Sequence, residues 1–464
     1  VYARAERYES ENGAFGYVDP AVYAPGQPRI DIRYPFQHFT RVTAGWTANT
    51  LNLPVADRAE LNTYWQQNER TLTFSLFQGF GPQAPPGAGV SINTRNFSDL
   101  GTIGARLELK KLATPALLFT YGLDVFRDAS TNTDSSVTSV VGFGPPQTEI
   151  STQPQVPDAT YRSLGAFAQG ELNAGRVTLI LGARAQAVRA EAEAGQGVPA
   201  GLTSKTANTV VGAANLLYAL TSNLTLVSSV GRAFRAPNLI EWFFDGPTPE
   251  GNGYQVRSPD LKPETSFNVD LGMRYRDRRF AVEAFVFRNQ VRDGIRIQPI
   301  GDTIQGFPAF QNVNLDKLLF RGVEVSAEAL IVRSLSVLAG YNYLDAEDEL
   351  DPSNPIGDSF SRRITGSLRY SDARDRFWAQ YELRHNGERK DVALVDNPLG
   401  DVLPAFTTHS VRGGFMLLRR GQVKQHIGIA VENLTDALYA EFSNASFFRP
   451  EPRRRVVLSA DVVF

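Results

Sequence analysis

From Val177 to Val188 the chain alternates residue by residue. Val177, Leu179, Leu181, Ala183, Ala185 and Ala187 share one face, and Thr178, Gly182, Arg184 and Gln186 share the other. A period of two sends successive side chains to opposite faces of a strand, so the segment reads as β structure with one greasy and one wet side. The split recurs where Phe377, Ala379, Tyr381 and Leu383 oppose Trp378, Gln380, Glu382 and Arg384, and where Ile364, Gly366, Leu368 and Tyr370 oppose Thr365, Ser367 and Arg369. At the C-terminus Val456, Leu458, Ala460, Val462 and Phe464 oppose Arg455, Ser459 and Asp461. A soluble sandwich also alternates, but Ala and Gly on the apolar face with Arg, Glu and Gln on the other suit a lipid-facing wall around a polar lumen better than a tightly packed core. Such segments number about eighteen, each roughly ten residues, the length of a tilted strand that crosses a bilayer. The expectation is an all-β chain, a transmembrane antiparallel β-barrel over residues 1–464 in the cell outer membrane.

The connections carry the second argument. Asn173–Arg176, Thr221–Asn223, Arg276–Arg279, Ser371–Asp375 and Arg419–Val423 are short polar turns. They alternate with long segments at Asp128–Thr160, Arg189–Ala207, Ala236–Thr265, Asp293–Leu319, Asp345–Ser361, Asn386–Phe406 and Ala437–Arg453. Tight periplasmic turns at one rim and extended extracellular loops at the other produce that rhythm. The stretch Asn49–Arg70 breaks it, being long on the short-turn side and helix-like around Ala56–Gln66. Counting strands places both chain ends on the periplasmic side, where the terminal aromatic Phe464 closes the last strand. Apolar runs such as Leu216–Leu220 and Ala281–Phe287 fall far short of the ~18 residues of a spanning helix. With no cysteine and only His38, His385, His409 and His426, nothing suggests a thiolate or clustered-histidine metal site. A net charge of -2 from 47 basic and 49 acidic residues offers no field to attract nucleic acid. Val1 opens directly in strand-like sequence without an apolar leader, as in a mature or truncated chain.

Between two well-patterned strands stands Phe234-Arg235-Ala236-Pro237-Asn238-Leu239-Ile240-Glu241, then Ser258-Pro259-Asp260-Leu261-Lys262-Pro263-Glu264. These segments resemble the FRAP and NPNL-type boxes of TonB-dependent outer-membrane receptors, best known in the haem and haemoglobin branch. Arg321-Gly322-Val323-Glu324, Val431-Glu432-Asn433-Leu434-Thr435-Asp436 and the closing stretch Arg453–Phe464 are similar to late strands of these barrels. The resemblance implies an active transporter for a scarce nutrient such as a siderophore, vitamin or haem. It also implies a 22-stranded barrel and an N-terminal plug domain, so the plug and first strands would be absent from this chain. Its implied partners are outer-membrane lipid, a small-molecule ligand, and TonB with its inner-membrane energising complex, reached through the plug. No enzymatic chemistry and no resident cofactor are implied. Haem receptors carry an iron-ligating histidine between the two boxes, and Ile240–Arg257 contains none. A passive porin, or a barrel serving as a structural partner in a larger complex, is the alternative.

Local chemistry makes the first box sensible on its own terms. Pro237 lacks a ladder donor and ends a strand, and Arg235 at the rim can hold carbonyls or carboxylates, so Phe234, Arg235, Ala236 and Pro237 are expected to anchor the loop. Trp242, Phe243, Phe244 and Tyr254 gather in that loop and are the candidates for gripping ligand, with packing of the loop an equally good reading. Asp345–Asp351 could bind calcium, although a solvated acidic loop explains it better. His385 lacks an ordered serine and acid partner, so it reads as a satisfied rim residue rather than a catalytic one.

Overall fold

The computed structural model describes residues 1–14, 29–194, 198, 203–248, 253–315, 317–353, 356, 360–374, 376–389, 402–421, 423–439 and 451–463. The first ten strands are β1 (Tyr2–Ala14), β2 (Arg29–Ala48), β3 (Arg58–Gly79), β4 (Gly89–Thr114), β5 (Leu117–Val141), β6 (Gln147–Ser151), β7 (Ala159–Ala174), β8 (Val177–Ala192), β9 (Ser204–Ala219) and β10 (Leu224–Arg235). A short helix, α1 (Leu239–Phe243), precedes β11 (Gly246–Pro247), β12 (Tyr254–Val256), β13 (Glu264–Arg276), β14 (Phe280–Arg292), β15 (Gly294–Ile304) and β16 (Phe307–Leu315). The remainder is β17 (Leu318–Val332), β18 (Leu335–Asp348), β19 (Arg362–Ser371), β20 (Phe377–Asn386), β21 (Phe406–Arg420), β22 (Val423–Glu432) and β23 (Arg455–Val463).

One 19-stranded sheet holds every described strand except β11, β12, β15 and β16. In it β6 is only a stub on the upper part of β5. The eighteen long strands pair in sequence order, always antiparallel, from β1–β2 through β22–β23. This meander is the wall of the expected barrel. Its two faces separate as the alternation requires. Leu181 is 51% exposed on the outer face, which Leu179 shares, and Phe377, Tyr381 and Leu458 are exposed with it. On the lumen side Arg184 holds Asp124 through two bonds of 2.6 and 2.8 Å, and Glu382 lies 3.3 Å from Arg412. Asp461 stands opposite His426 on the same side.

Three expectations change. Strands are not uniformly about ten residues, because β4 has 26 and β5 has 25. At about 3.3 Å per residue β4 is on the order of 85 Å long, and even tilted it rises well beyond a ~25 Å apolar band. The excess lies above the membrane, where Thr94, Asn132 and Asp134 are buried and pair with neighbouring chain rather than facing lipid. Second, Asn49–Arg70 holds no helix: residues 49–57 form the connection and β3 begins at Arg58. Leu61 and Trp65 lie four apart, a spacing that shares a face in a helix and in a strand alike. Their partners Trp46 and Val42 on β2 show which applies. Asp57 fastens this turn by accepting from Lys111 Nζ at 2.7 Å and Leu112 N at 2.8 Å. Third, Asp293–Leu319 is not an open loop but contains the hairpin β15–β16. Phe464 lies outside the described residues, as do 390–401 and 440–450 of the late loops.

Candidate ligand-capture rim

β10 delivers the Phe234–Pro237 box to the long-loop rim. Pro237 stops the ladder and Asn238, extended at φ -89 and ψ 176, caps α1. Its Oδ1 accepts from Glu241 N at 2.8 Å, while Glu241 Oε2 accepts from Asn238 N at 2.8 Å, so two otherwise orphaned amides are satisfied reciprocally. The same carboxylate takes two 2.9 Å bonds from Arg235 Nη1, and Arg235 Nε donates to Glu264 Oε1 at 2.5 Å. Glu264 Oε2 then accepts from Ile295 N at 3.0 Å. One guanidinium therefore ties together the start of α1, the start of β13 and the start of β15. Its hydrogen bond to Glu264 raises the Arg235 pKa above the usual arginine range. Burial pushes Glu264 upward, but the bonds from Arg235 and from Ile295 N outweigh it and hold the carboxyl below its ordinary value.

The loop aromatics do not stand free. Trp242 and Phe243 are 2% and 1% exposed, and Phe244 is also buried. Of the two readings of these three rings, their burial favours packing of the loop. Trp242 and Phe243 pack with Leu261 and Ile295 on Ala159, Ala190 and Ala192, where the short side chains at the upper ends of β7 and β8 leave room for them and Tyr161 packs alongside. Tyr254 is half-buried, and burial, with the charge of Asp245 and its hydrogen bond, pushes its hydroxyl up to about 12.

A second, four-stranded sheet in the order β11-β12-β16-β15 covers this rim. β12 and β16 run parallel, so segments from two different inter-strand connections share one ladder. Asn314 reinforces the join by accepting from Lys262 N at 2.8 Å and donating to Lys262 O at 2.9 Å and Asp293 O at 2.7 Å. Gln311 Nε2 donates to Arg257 O at 2.7 Å, and Arg257 pairs with Asp245 at 2.9 Å. Phe307, at the hairpin tip, packs among Ile32, Phe74, Leu76 and Ile92 with Tyr254 beside it. The hairpin leaves the wall between β14 and β17 and ends on the tall β2–β4 ribbon, spanning the mouth. Sequence reasoning missed this element. Its signal was the Gln305-Gly306 turn, whose two positive φ angles of 52 and 84 suit a two-residue hairpin.

Below the rim, a groove of about 710 Å³ lies against the lumen wall of β18–β23, lined by Arg369, Gln380, Glu382, Arg384, Arg412 and Glu432 among others. The acidic Asp345–Asp351 stretch is divided among arginines: Arg321 pairs with Asp345 at 2.9 Å and Glu347 at 3.5 Å, and Arg288 with Glu349 at 3.6 Å. Among the described residues no group of three or more His, Cys, Asp or Glu is arranged to hold a metal ion. His385 Nδ1 is within 2.8 Å of Thr407 Oγ1, a hydrogen bond between β20 and β21 at the rim.

An antiparallel meander with an apolar outside, a polar lumen and a folded cap on its long-loop rim is the architecture of an outer-membrane β-barrel. The family model described as TonB dependent receptor-like, beta-barrel, matches residues 2–434, and the chain belongs to that family. It is similar to the iron-regulated outer membrane virulence protein of Vibrio cholerae, 25% identical over 250 residues, a match covering 52% of this chain and 37% of that protein. It is also similar to the heme/hemopexin utilization protein C of Haemophilus influenzae, 23% identical over 255 residues, covering 49% of this chain and 35% of the other. Among solved structures, copper transporter OprC shares the fold with a TM-score of 0.70 at 18% identity, covering 93% of this chain and 66% of that one. The matches to the two curated relatives thus span little more than a third of their length. The protein resides in the cell outer membrane.

Proposed function

We propose that this chain is the barrel of a TonB-dependent receptor that imports a scarce nutrient such as a siderophore, a vitamin or haem. Family membership over residues 2–434 is the observation that carries the reading. The names of its relatives, iron-regulated in one case and heme/hemopexin-utilising in another, agree with it. In this reading the ligand meets the outer surface of the rim sheet, where half-buried Tyr254 and the β15–β16 hairpin face the mouth. Arg235 and the buried rings of Trp242, Phe243 and Phe244 act beneath, as the frame that holds that surface. A plug domain seats against the polar lumen wall, and TonB, driven by the inner-membrane proton gradient, moves the plug to admit the ligand. The barrel itself breaks and makes no covalent bonds.

The test is uptake of a panel of radiolabelled iron-siderophore, corrinoid and haem compounds by cells whose own receptors are deleted and which express the complete protein. Uptake of one compound is expected, abolished by loss of TonB or by a proton uncoupler. Uptake that persists without either, with steady conductance in planar bilayers, would instead establish a passive porin.

A further inference from the structure

On the outer face, three arginines stand side by side on neighbouring strands. Arg127 of β5 is directly opposite Arg162 of β7, and Arg162 is directly opposite Arg189 of β8. Strands lie about 4.8 Å apart, so the three side chains spring from a row roughly 10 Å long. Like charges placed directly opposite destabilise a sheet, and such a row calls for a counter-charge. Among the described residues one carboxylate pairs with the row: Glu191 lies 2.6 Å from Arg189 and 3.8 Å from Arg162. Arg127 is exposed and has no ion pair or hydrogen-bond partner among the described residues. Further along the wall the contrast is direct, because on β14 and β17 the opposed pair Arg288 and Arg321 is matched by Glu349, Asp345 and Glu347.

The row's height on the wall is as informative as its charge. One outward step below it, Val125, Leu164 and Ala187 stand opposite one another in the apolar band, with Val125 and Leu164 among the exposed hydrophobics. One step above, Ala129, Thr160 and Glu191 are aligned. Along the row itself, Arg127 faces Ile103, Ile103 faces Trp65 and Trp65 faces Val42, all three exposed. The arginines thus sit where the apolar band ends on the long-loop side, the level of the outer-leaflet headgroups, with bare hydrocarbon directly beneath and beside them.

We propose that Arg127, Arg162 and Arg189 form a binding site for a phosphorylated lipid headgroup of the outer leaflet. Guanidinium forks match phosphate oxygens two at a time, and the net charge of the patch after Glu191 fits a phosphate dianion. Acyl chains of the same lipid lie along Val125, Leu164 and Ile103, so the site reads headgroup and tail together. The site is separate from the rim and the lumen, and it does not depend on which nutrient is carried.

Native mass spectrometry of the purified protein in detergent tests this with diphosphorylated lipid A, the same lipid stripped of phosphate, and inorganic phosphate. The wild-type protein is expected to retain the diphosphorylated lipid, with an affinity that falls as salt rises. The R127Q/R162Q/R189Q variant is expected to lose at least tenfold in affinity, while R288Q/R321Q binds as wild type does. Should the triple variant fail to show the heat-sensitive gel mobility of a folded barrel, R127Q carries the test, since that side chain has no partner to lose among the described residues; a several-fold drop is expected. Undiminished binding by either variant, equal binding of the phosphate-free lipid, or displacement of the lipid by millimolar inorganic phosphate would overturn the proposal.

Discussion

Replacing Trp242 with alanine should release the rim while leaving the barrel standing. The indole is 2% exposed and lies against Ala159, Ala190 and Ala192, short side chains on a hydrogen-bonded wall that cannot move inward to fill the space. A Trp→Ala change in such a place costs about 3–5 kcal/mol, and the unfilled cavity puts it in the upper part of that range. The long bond from Trp242 Nε1 to Leu261 O, 3.4 Å, adds little. The loss should fall on the rim because the wall has its own ladders, whereas α1 is held mainly by this cluster and by Arg235. At about 1.4 kcal/mol per tenfold, local opening of residues 236–264 and 294–315 should become on the order of 10²- to 10⁴-fold more frequent. Hydrogen-exchange mass spectrometry in nanodiscs reads this directly, with gel mobility reporting the barrel. Ile240→Ala, at a 50% exposed position on the same helix, is the control and should change little. Rim peptides in Trp242→Ala that stay as protected as wild type would refute the view that this ring frames the loop.

The two faces of the wall should differ in their tolerance of charge. Leu181→Arg, in the middle of the Val177–Ala187 band, is expected to destabilise insertion by about 2–4 kcal/mol, while Ser326→Arg on the lumen face of β17 should be mild; denaturant titration in vesicles measures both, and equal effects would count against the assigned faces. Tyr254 should titrate late. Because its folded pKa, about 12, is above the ordinary tyrosine value of 10.0, its contribution to rim stability is complete below pH 10 and is lost as pH rises through about 12. The ultraviolet difference spectrum between wild type and Tyr254→Phe should show this ionisation only at the top of that window, and a transition near pH 10 would place the ring in open solvent.

How much of this could be read in advance depends on how far each feature reaches along the chain. The facing of Leu181 against Arg184, or Tyr381 against Glu382, needs only neighbouring residues, and period two exposes it. Strand ends are harder. The upper parts of β4 and β5 lose the apolar half of the pattern because they pair with one another above the membrane, so Asp128–Thr160 resembled a loop although β5 runs to Val141. Within the helix-like stretch Ala56–Gln66, the spacing of four between Leu61 and Trp65 satisfies both periods and so does not separate helix from strand. The role of Trp242 was not legible locally at all. Whether a loop aromatic is exposed depends on what lies across from it, and Ala159, Ala190 and Ala192 are distant in sequence and unremarkable singly. Arg235 was legible as an anchor because a proline stop and a cation at a strand end imply nearby carboxylates, although the spacing alone did not name both Glu241 and Glu264.

The parallel pairing of Tyr254–Val256 with Ala309–Gln311 makes two connections of the barrel one heritable unit. Exchanging the 236–263 segment for that of a relative, while keeping 293–317, would strand one side of a ladder, leave Asn314 without Lys262 and leave Gln311 without Arg257. Swapping both together would bring each side of the ladder in with its own partner. Recombination between receptors, in nature or in a graft experiment, should therefore succeed with breakpoints in β10 and β17 and fail with one in β13 or β14, so that a new ligand preference is acquired as a block of about eighty residues rather than loop by loop.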